Sequence, residues 1–494
     1  MNSDGYGQHT ASQVITDTAA RVRPRGPIVA AMKAVQVRSL HPLETLAQLA
    51  TAGEAGIDAV LATLRTGAVP EHWDRDWLAA ASSVLTTLAR SDEDRANAQM
   101  LQAALGGHAL PMPDHPVDPY QGVPSATQTE FDIVFAGPWN RTGGPQKSML
   151  AEIAALRGQG LRLGAMHLDA WRFMRKEEPV IIDALRDLAA AGELTILRPL
   201  DEATTDVLLV RYPPVLEFAP ISLSIRAQRV IVMTNQAPAE RDGSDRRYDV
   251  RDVDRRASTL FGSAPYWLPQ GPMVRATIEN EVSADRLLPF DNPGIVVPEA
   301  YATIARSART DRIVYGRHSR DDATKWPGDR KTLLAAYPQG RGFEFRTMGG
   351  VRSPLRVLRT RLQRKFGKPA RLPSSWVSLD ADAMPVPEFL RSIDYFVYYA
   401  HPDQYEAFGR VLLEAIASGL VTITEPRFAS TFGDAAIYVE PREVRRTLRR
   451  FHRDPEAYRR QSALALQRTR EHFSPERFRE VVALLRALPS TPAA

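Results

Sequence analysis

The stretch "EAFGRVLLEAIASG", Glu406 to Gly419, sets two carboxylates eight positions apart in a run that otherwise reads as core. On one continuous helix Glu406 and Glu414 would stand roughly 80° apart in direction and roughly 12 Å apart along the axis. Two carboxylates acting as acid and base across one bond need to lie within about 5 to 9.5 Å. The wider spacing suits the two ends of an extended ligand. Upstream, "DYFVYYA" reads as a strand and "HPDQYEAF" as a loop, so the helix is expected to begin near Phe408 or Gly409. Val411, Leu412, Ala415 and Ile416 make its buried face, and Gly419 stands where a C′ glycine ends a helix. Glu406 then lies in a loop above the sheet and Glu414 on the second helical turn. The plain alternative is one carboxylate favoured by the helix dipole and one exposed helical glutamate.

Two further stretches carry anion chemistry. In "IVYGRHSRDDATKWPGDRK" a strand ends at Gly316, and Arg317, Arg320 and Lys325 follow in a loop. Arginine grips phosphate oxygens bidentately and lysine adds a mobile point charge, which together hold a diphosphate without a metal. The alternative is a solvated loop in which Asp321 and Asp322 pair with the cations. In "FAGPWNRTGGPQKSMLAEIAALRGQG" a strand is followed by a loop with Gly143 and Gly144, then by a helix with Met149, Leu150, Ile153 and Leu156 on its buried stripe. Side-chain-free backbone at a helix start lets a phosphate approach, although a tight turn would look the same. Neither the Walker nor the G-x-G-x-x-G spacing is present.

The elements that must position these residues are short buried strands alternating with helices. "FDIVFAG" is a continuous apolar strand of the parallel-sheet kind, and "LRLGAMHL", "ELTILRP", "DVLLVRY" and "QRVIVMT" follow it. After "NPGIVVP" the alternation restarts with "DRIVYG", "GFEFRTMG", "SSWVSL", "DYFVYYA" and "LVTIT". Two such blocks predict two doubly wound α/β domains facing one another across a cleft, with ligands beyond the carboxyl ends of the strands. Residues 1–128 read as an accessory helical region with a Pro-rich linker, 129–295 as the N-terminal domain, 296–472 as the C-terminal domain, and 473–494 as a terminal helix and tail. Ser474 is the expected N-cap of that helix.

Composition narrows the class. With 494 residues, 44% apolar and 24% charged, the chain is that of a soluble multidomain protein, and no apolar run approaches the roughly 18 residues that cross a bilayer. The first 25 residues lack an apolar h-region, so no secretory signal is expected. The absence of cysteine excludes disulfides and thiolate metal sites and agrees with a cytoplasmic location. A net charge of +5 at this length gives no reason to expect a nucleic-acid partner. One segment is locally basic: 352–371 carries eight Lys or Arg and no acid, with Leu355, Leu358, Leu362 and Phe366 on one potential helical stripe. It could contact an anionic membrane peripherally, or be the solvated face of a packed helix.

Taken together, the second block resembles the donor-binding half of the retaining glycosyltransferases with the GT-B fold, family 4, which carry Glu, seven residues, Glu before a helix ending in Ala-x-Gly. Glu406, Phe408, Gly409, Glu414, Ala415, Ala417 and Gly419 occupy those positions. Gly316, Arg317 and Lys325 resemble the family's Gly-Arg and following lysine, with seven residues between Arg317 and Lys325. The loop at Gly143 and Gly144 resembles the glycine loop of its N-terminal domain. The resemblance implies transfer of a sugar from a nucleotide-diphosphate sugar to an acceptor with retention at the anomeric carbon, and no metal or other cofactor. It assigns donor-sugar hydroxyls to Glu406, ribose hydroxyls to Glu414, and the diphosphate to Lys325 with Arg317 or Arg320. Backbone N–H groups from Phe408 through Gly409 to Arg410 add stabilisation at the helix start. The acceptor, whether glycan, lipid-linked or small molecule, is left open. Where many members carry a histidine near the donor sugar, "VIVMTNQAP" offers Asn235 and Gln236. A nucleotide-sugar hydrolase or epimerase, or a non-catalytic sugar-nucleotide-binding subunit, are the alternatives.

Overall fold

A computed structural model describes residues 120–490 except 121, 125, 141–142, 169–179, 199–200, 217–222, 242, 244–246, 302–311 and 382. The accessory helical region expected before Leu105 therefore lies outside the described residues.

Two six-stranded sheets carry the fold. The first comprises β1 (Glu130–Gly137), β2 (Leu163–His167), β3 (Thr195–Leu197), β4 (Ala203–Arg211), β5 (Ile225–Thr234) and β6 (Tyr266–Pro269), ordered β3-β2-β1-β4-β5-β6. The second comprises β7 (Ile313–His318), β8 (Phe343–Met348), β9 (Trp376–Leu379), β10 (Tyr395–Tyr398), β11 (Val421–Thr424) and β12 (Ile437–Tyr438), ordered β12-β11-β10-β7-β8-β9. Every pairing between these strands is parallel. Counted within its own block, each sheet has the order 3-2-1-4-5-6, so the doubly wound expectation holds in both halves.

The strands read as unbroken apolar runs because both faces are covered. In β1, Ile133 and Phe135 join the cluster formed with α1 (Gly144–Leu156), whereas Val134 and Ala136 join the opposite cluster with α3 (Val250–Phe261); α2 (Asp183–Ala190) adds Leu185 to the first. In the second sheet Phe396 and Tyr398 face α9 (Arg410–Ala417), and Tyr395 and Val397 face α5 (Arg330–Ala336) and α10 (Val444–Arg453). Between them in sequence lie α4 (Pro272–Ile278), α6 (Arg352–Leu358), α7 (Arg361–Lys365) and α8 (Val386–Arg391).

The chain crosses between the two halves twice. After α11 (Pro455–His472) it returns to the first sheet as α12 (Pro475–Ala487), which Ser474 caps by accepting the Arg477 N–H. Phe478, Val481 and Leu485 of α12 complete the cluster around Ile133 and Met149. Beside the crossing, Val296 N donates to Phe473 O at 2.9 Å, so the two connections run against each other.

Two expectations change. The end of the Pro-rich linker is packed: Tyr120 and Val123 belong to the first core, and Tyr120 Oη donates to His167 O at 2.9 Å. The basic segment is two short helices instead of one stripe. Thr360 Oγ1 accepts from Gln363 N at 3.2 Å while Gln363 Oε1 accepts from Thr360 N at 2.9 Å, a reciprocal capping box that starts a new helix. Leu358 consequently turns into the core, and Leu362 and Phe366 turn outward at 69% and 64% exposure. Among the described residues no helix is long and apolar enough to cross a membrane.

Candidate functional site

In the second sheet the strand order reverses between β7 and β10, so the loops after His318 and Tyr398 flank a crevice. The loop after β10 holds Glu406 and leads into α9 at Arg410. Gly409 precedes the helix with φ +85°, a left-handed conformation that side chains strain to adopt. Phe408 is buried against Phe432 and Phe473, which anchors the turn. At the far end Gly419 takes φ +70°, with Gly419 N donating to Ile416 O at 2.9 Å and Leu420 N to Ala415 O at 3.2 Å, the Schellman closure.

Glu406 is bound by its own cation. Lys325 Nζ lies 2.5 Å from Glu406 Oε2, and Tyr398 Oη donates to the same oxygen at 3.3 Å. Burial pushes this carboxyl up, but Lys325, Tyr398 and Arg427 outweigh burial and hold it below the usual range, so it is ionised near neutrality.

Glu414 has a separate set of partners. Arg410 Nε donates to Oε1 at 3.2 Å, and His318 Nε2 stands 3.4 Å from Oε2. Burial raises the Glu414 carboxyl above its ordinary value against the pull of Arg410 and Lys147. Burial, aided by Arg317 and Lys147, pushes His318 down to about 3, so its imidazole is neutral. Tyr301 is pushed up to about 12 by burial and by the Glu414 charge. Lys147 belongs to the first turn of α1, so it acts on this cluster from the other sheet. Two carboxylates, each with its own cation, do not form an acid–base pair sharing one proton; they can grip separate parts of one ligand.

Arg317 is placed differently from the expectation. It is fully buried, with Nη1 donating to Tyr337 Oη at 2.6 Å and Tyr399 O at 3.1 Å, and Nη2 donating to Ser319 Oγ at 2.9 Å and Lys325 O at 2.6 Å. Its guanidinium centre sits 4.0 Å from the Trp326 ring centroid and 4.5 Å from that of Tyr398. Strand alternation is the reason: Gly316 and His318 face α9, while Arg317 faces the aromatic cluster. Arg317 therefore braces the loop that carries Lys325, and of the three cations expected in this loop Lys325 and Arg320 are the ones that keep exposed side-chain surface. Arg320 is exposed and makes no ion pair among the described residues. Asp321 and Asp322 do not neutralise these cations. Asp321 accepts the Arg352 and Ser353 N–H groups at the start of α6 at 2.7 and 2.9 Å, and Asp322 Oδ1 accepts Thr324 N at 2.9 Å.

The glycine loop sits at the corresponding reversal of the first sheet, between β1 and β4. Gly143 is the N-cap of α1, and a Cβ on Gly144 would meet nothing within 4 Å, so the backbone there is open. Beneath it a fully buried ion pair joins Glu152 of α1 to Arg211 at the end of β4, and Asn292 Nδ2 donates to Glu152 Oε1 at 3.0 Å. Burial raises Glu152 while Arg211 and, more weakly, Arg410 of the other domain lower it. Sequence reasoning named neither this pair nor Lys147 and His318. Lys147 stood in the glycine-loop stretch, and His318 was passed over because the strand was expected to end at Gly316, whereas β7 runs on to His318; the Glu152–Arg211 pair joins residues 59 positions apart and left no local signal.

No protein-family model matches the chain, and no curated protein matches it. Solved structures do. A glycosyltransferase from Rickettsia africae ESF-5 superposes with a TM-score of 0.50 at 10% identity, covering 73% of this chain and 98% of that one. HepE from Anabaena, solved in complex with UDP, gives 0.49 at 12% identity, covering 72% and 100%. The galactosyltransferase WaaB gives 0.44 at 12% identity, covering 72% and 98%. At such identities the likeness is one of fold: two doubly wound domains facing a cleft, the GT-B arrangement.

Proposed function

We propose that the chain is a retaining glycosyltransferase that moves a sugar from a nucleotide-diphosphate sugar to an acceptor in polysaccharide or glycoconjugate synthesis. The observation that supports this best is the arrangement at the reversal of the second sheet. Glu406 with Lys325 stands before the start of α9, and Glu414 with Arg410 stands within it. The shared fold with a Rickettsia africae glycosyltransferase agrees with it.

In this reading Glu406 holds donor-sugar hydroxyls and Glu414 the ribose. Lys325, Arg320 and the N–H groups from Phe408 to Arg410 receive the diphosphate, with the Gly143–Gly144 loop approaching from the other domain. The bond from the anomeric carbon to the phosphate oxygen breaks, the acceptor oxygen bonds to that carbon on the same face, and the acceptor proton passes to the departing phosphate. Positive groups and helix N–H donors aimed at the leaving oxygen stabilise the charge that develops there, and no metal takes part.

Screening UDP-, GDP- and ADP-sugars for binding and turnover tests the reading, with Glu406→Ala beside the wild type. Failure of the wild type to bind any donor would sink it; binding with turnover indifferent to Glu406→Ala would favour a non-catalytic subunit. NMR of the product anomer decides retention.

We also place the protein in the cytoplasm, at an anionic membrane that it contacts through 352–371. Leu362 and Phe366 are the two most exposed large apolar side chains described. Among the described residues Arg356, Arg361, Lys365, Lys368 and Arg371 around them form no ion pair with a carboxylate, so apolar insertion and phosphate attraction coincide. Pelleting with phosphatidylglycerol vesicles that high salt abolishes, and that Leu362→Ser/Phe366→Ser loses, is the expected result. Equal pelleting with neutral vesicles would refute it.

A further inference from the structure

The loop after β5 reaches out of the first domain and grips the loop that carries Glu406. Glu240 Oε2 accepts the Tyr405 N–H at 2.8 Å, one residue before Glu406. Arg241 N donates to Asp403 O at 3.4 Å, and the Arg241 guanidinium lies 5.1 Å from the Tyr405 ring centroid. Glu240 is itself held in place. Its carboxylate pairs with Arg247, a buried side chain whose Nη1 donates to Ala237 O at 3.2 Å and whose backbone N donates to Pro238 O at 2.6 Å. From its own domain the same loop is fixed by Arg427, which donates to Gln404 O at 2.9 Å and His401 O at 3.3 Å. The peptide preceding Glu406 is thus clamped from both sides of the cleft, and one jaw of the clamp belongs to the first domain.

We propose that Glu240 is a positioning residue: through the Tyr405 amide it sets where the Glu406 carboxylate stands, so that Glu406 is correctly placed only when the two domains are engaged. This rests on the role given to Glu406 above. A carboxylate receiving a backbone N–H is a strong, directional acceptor, and a site displaced by about 1 Å loses much of its rate while still binding its ligand. The loop concerned is also the one in which Asn235 and Gln236 stand where many members of the resembled family carry histidine. In this chain it engages the Glu406 loop through a carboxylate and an arginine.

Two measurements on the full chain test the clamp. In hydrogen exchange, Glu240→Ala should speed exchange of the Tyr405 amide about tenfold or more, whereas Glu240→Gln, whose single carbonyl has to serve both the Tyr405 N–H and Arg247, should fall between the Ala variant and the wild type. In steady-state transfer, Glu240→Ala should lower kcat about tenfold with the donor KM within about twofold, and Glu240→Gln should lower it less. Unchanged exchange in Glu240→Ala, or a freed amide with kcat unchanged, would overturn the proposal. If the wild type turns over no nucleotide sugar while Glu240→Ala still frees the amide, the proposed reaction fails and the clamp stands.

Discussion

The two sheets share one strand order, yet the ion pairs at their reversal points differ in exposure. In the first, Glu152 and Arg211 are sealed beneath the glycine loop with about 1% of each side chain exposed. In the second, Lys325 and Glu406 keep 17% exposure each at the mouth of the crevice. Topology fixes where a ligand can enter, and the side chains at that point decide whether the charges serve the fold or the ligand. A sealed pair can only hold the domain together. A pair at the mouth can exchange its partner for a substrate.

This contrast can be broken experimentally, beginning with the largest effect. Glu152→Ala leaves Arg211 buried without its counter-charge and should cost about 3–5 kcal/mol of unfolding free energy in a denaturant titration. If the loss is under 1 kcal/mol, the pair is not structural. Lys325→Ala should act the other way round. It should slow transfer by about a hundredfold, the worth of a charge-assisted contact of roughly 2–3 kcal/mol, with little loss of stability. A melting point that falls as far as that of Glu152→Ala would erase the distinction between the two regions. Arg320→Ala, removing an exposed cation, should weaken nucleotide-diphosphate affinity by only about tenfold or less, and more so at low salt.

Acidity offers a subtler probe. His318 has a folded pKa of about 3 against an unfolded value near 6.5, so between these values the unfolded chain binds the extra proton. Stability contributed by the neutral imidazole is full above the unfolded pKa and falls as pH drops through the window. The slope approaches roughly 1.4 kcal/mol per pH unit. His318→Phe should flatten that acid limb in urea titrations from pH 7 to 4, and an unchanged limb would assign it to other groups. Glu414 titrates above the usual carboxylate range and Glu406 below it, so nucleotide binding should weaken on acidification by protonation of Glu414 first.

How much of this was legible in the sequence depends on the range of the interaction that decides each feature. The long apolar strands could be read because burial on both faces removes polar alternation. β6 could not: "YWLP" is a four-residue edge between prolines, and the two-residue β12 has no pattern at all. The turn into α9 was readable because Gly409 and Gly419 are local requirements of backbone conformation. The break in the basic segment was equally local, in "TRLQ", but the apolar spacing of Leu355 to Phe366 obscured it. The sequence left the choice between Arg317 and Arg320 open because the surroundings that enclose Arg317, among them Tyr337 and Tyr399, come from other segments of the chain. Glu240 was invisible for the same reason: its partner amide lies 165 positions away.

The hydrogen bond between Val296 and Phe473 bears on mechanics. Two covalent connections lying side by side behave as a two-ply strap: they bend together, but twisting would shear the bond between them. Near this strap Gly294 abuts Phe408 so closely that an added Cβ would come within 2.7 Å of the ring. A side chain at Gly294 would push this strap off the Phe408 ring, and with it the turn that leads from Glu406 into α9.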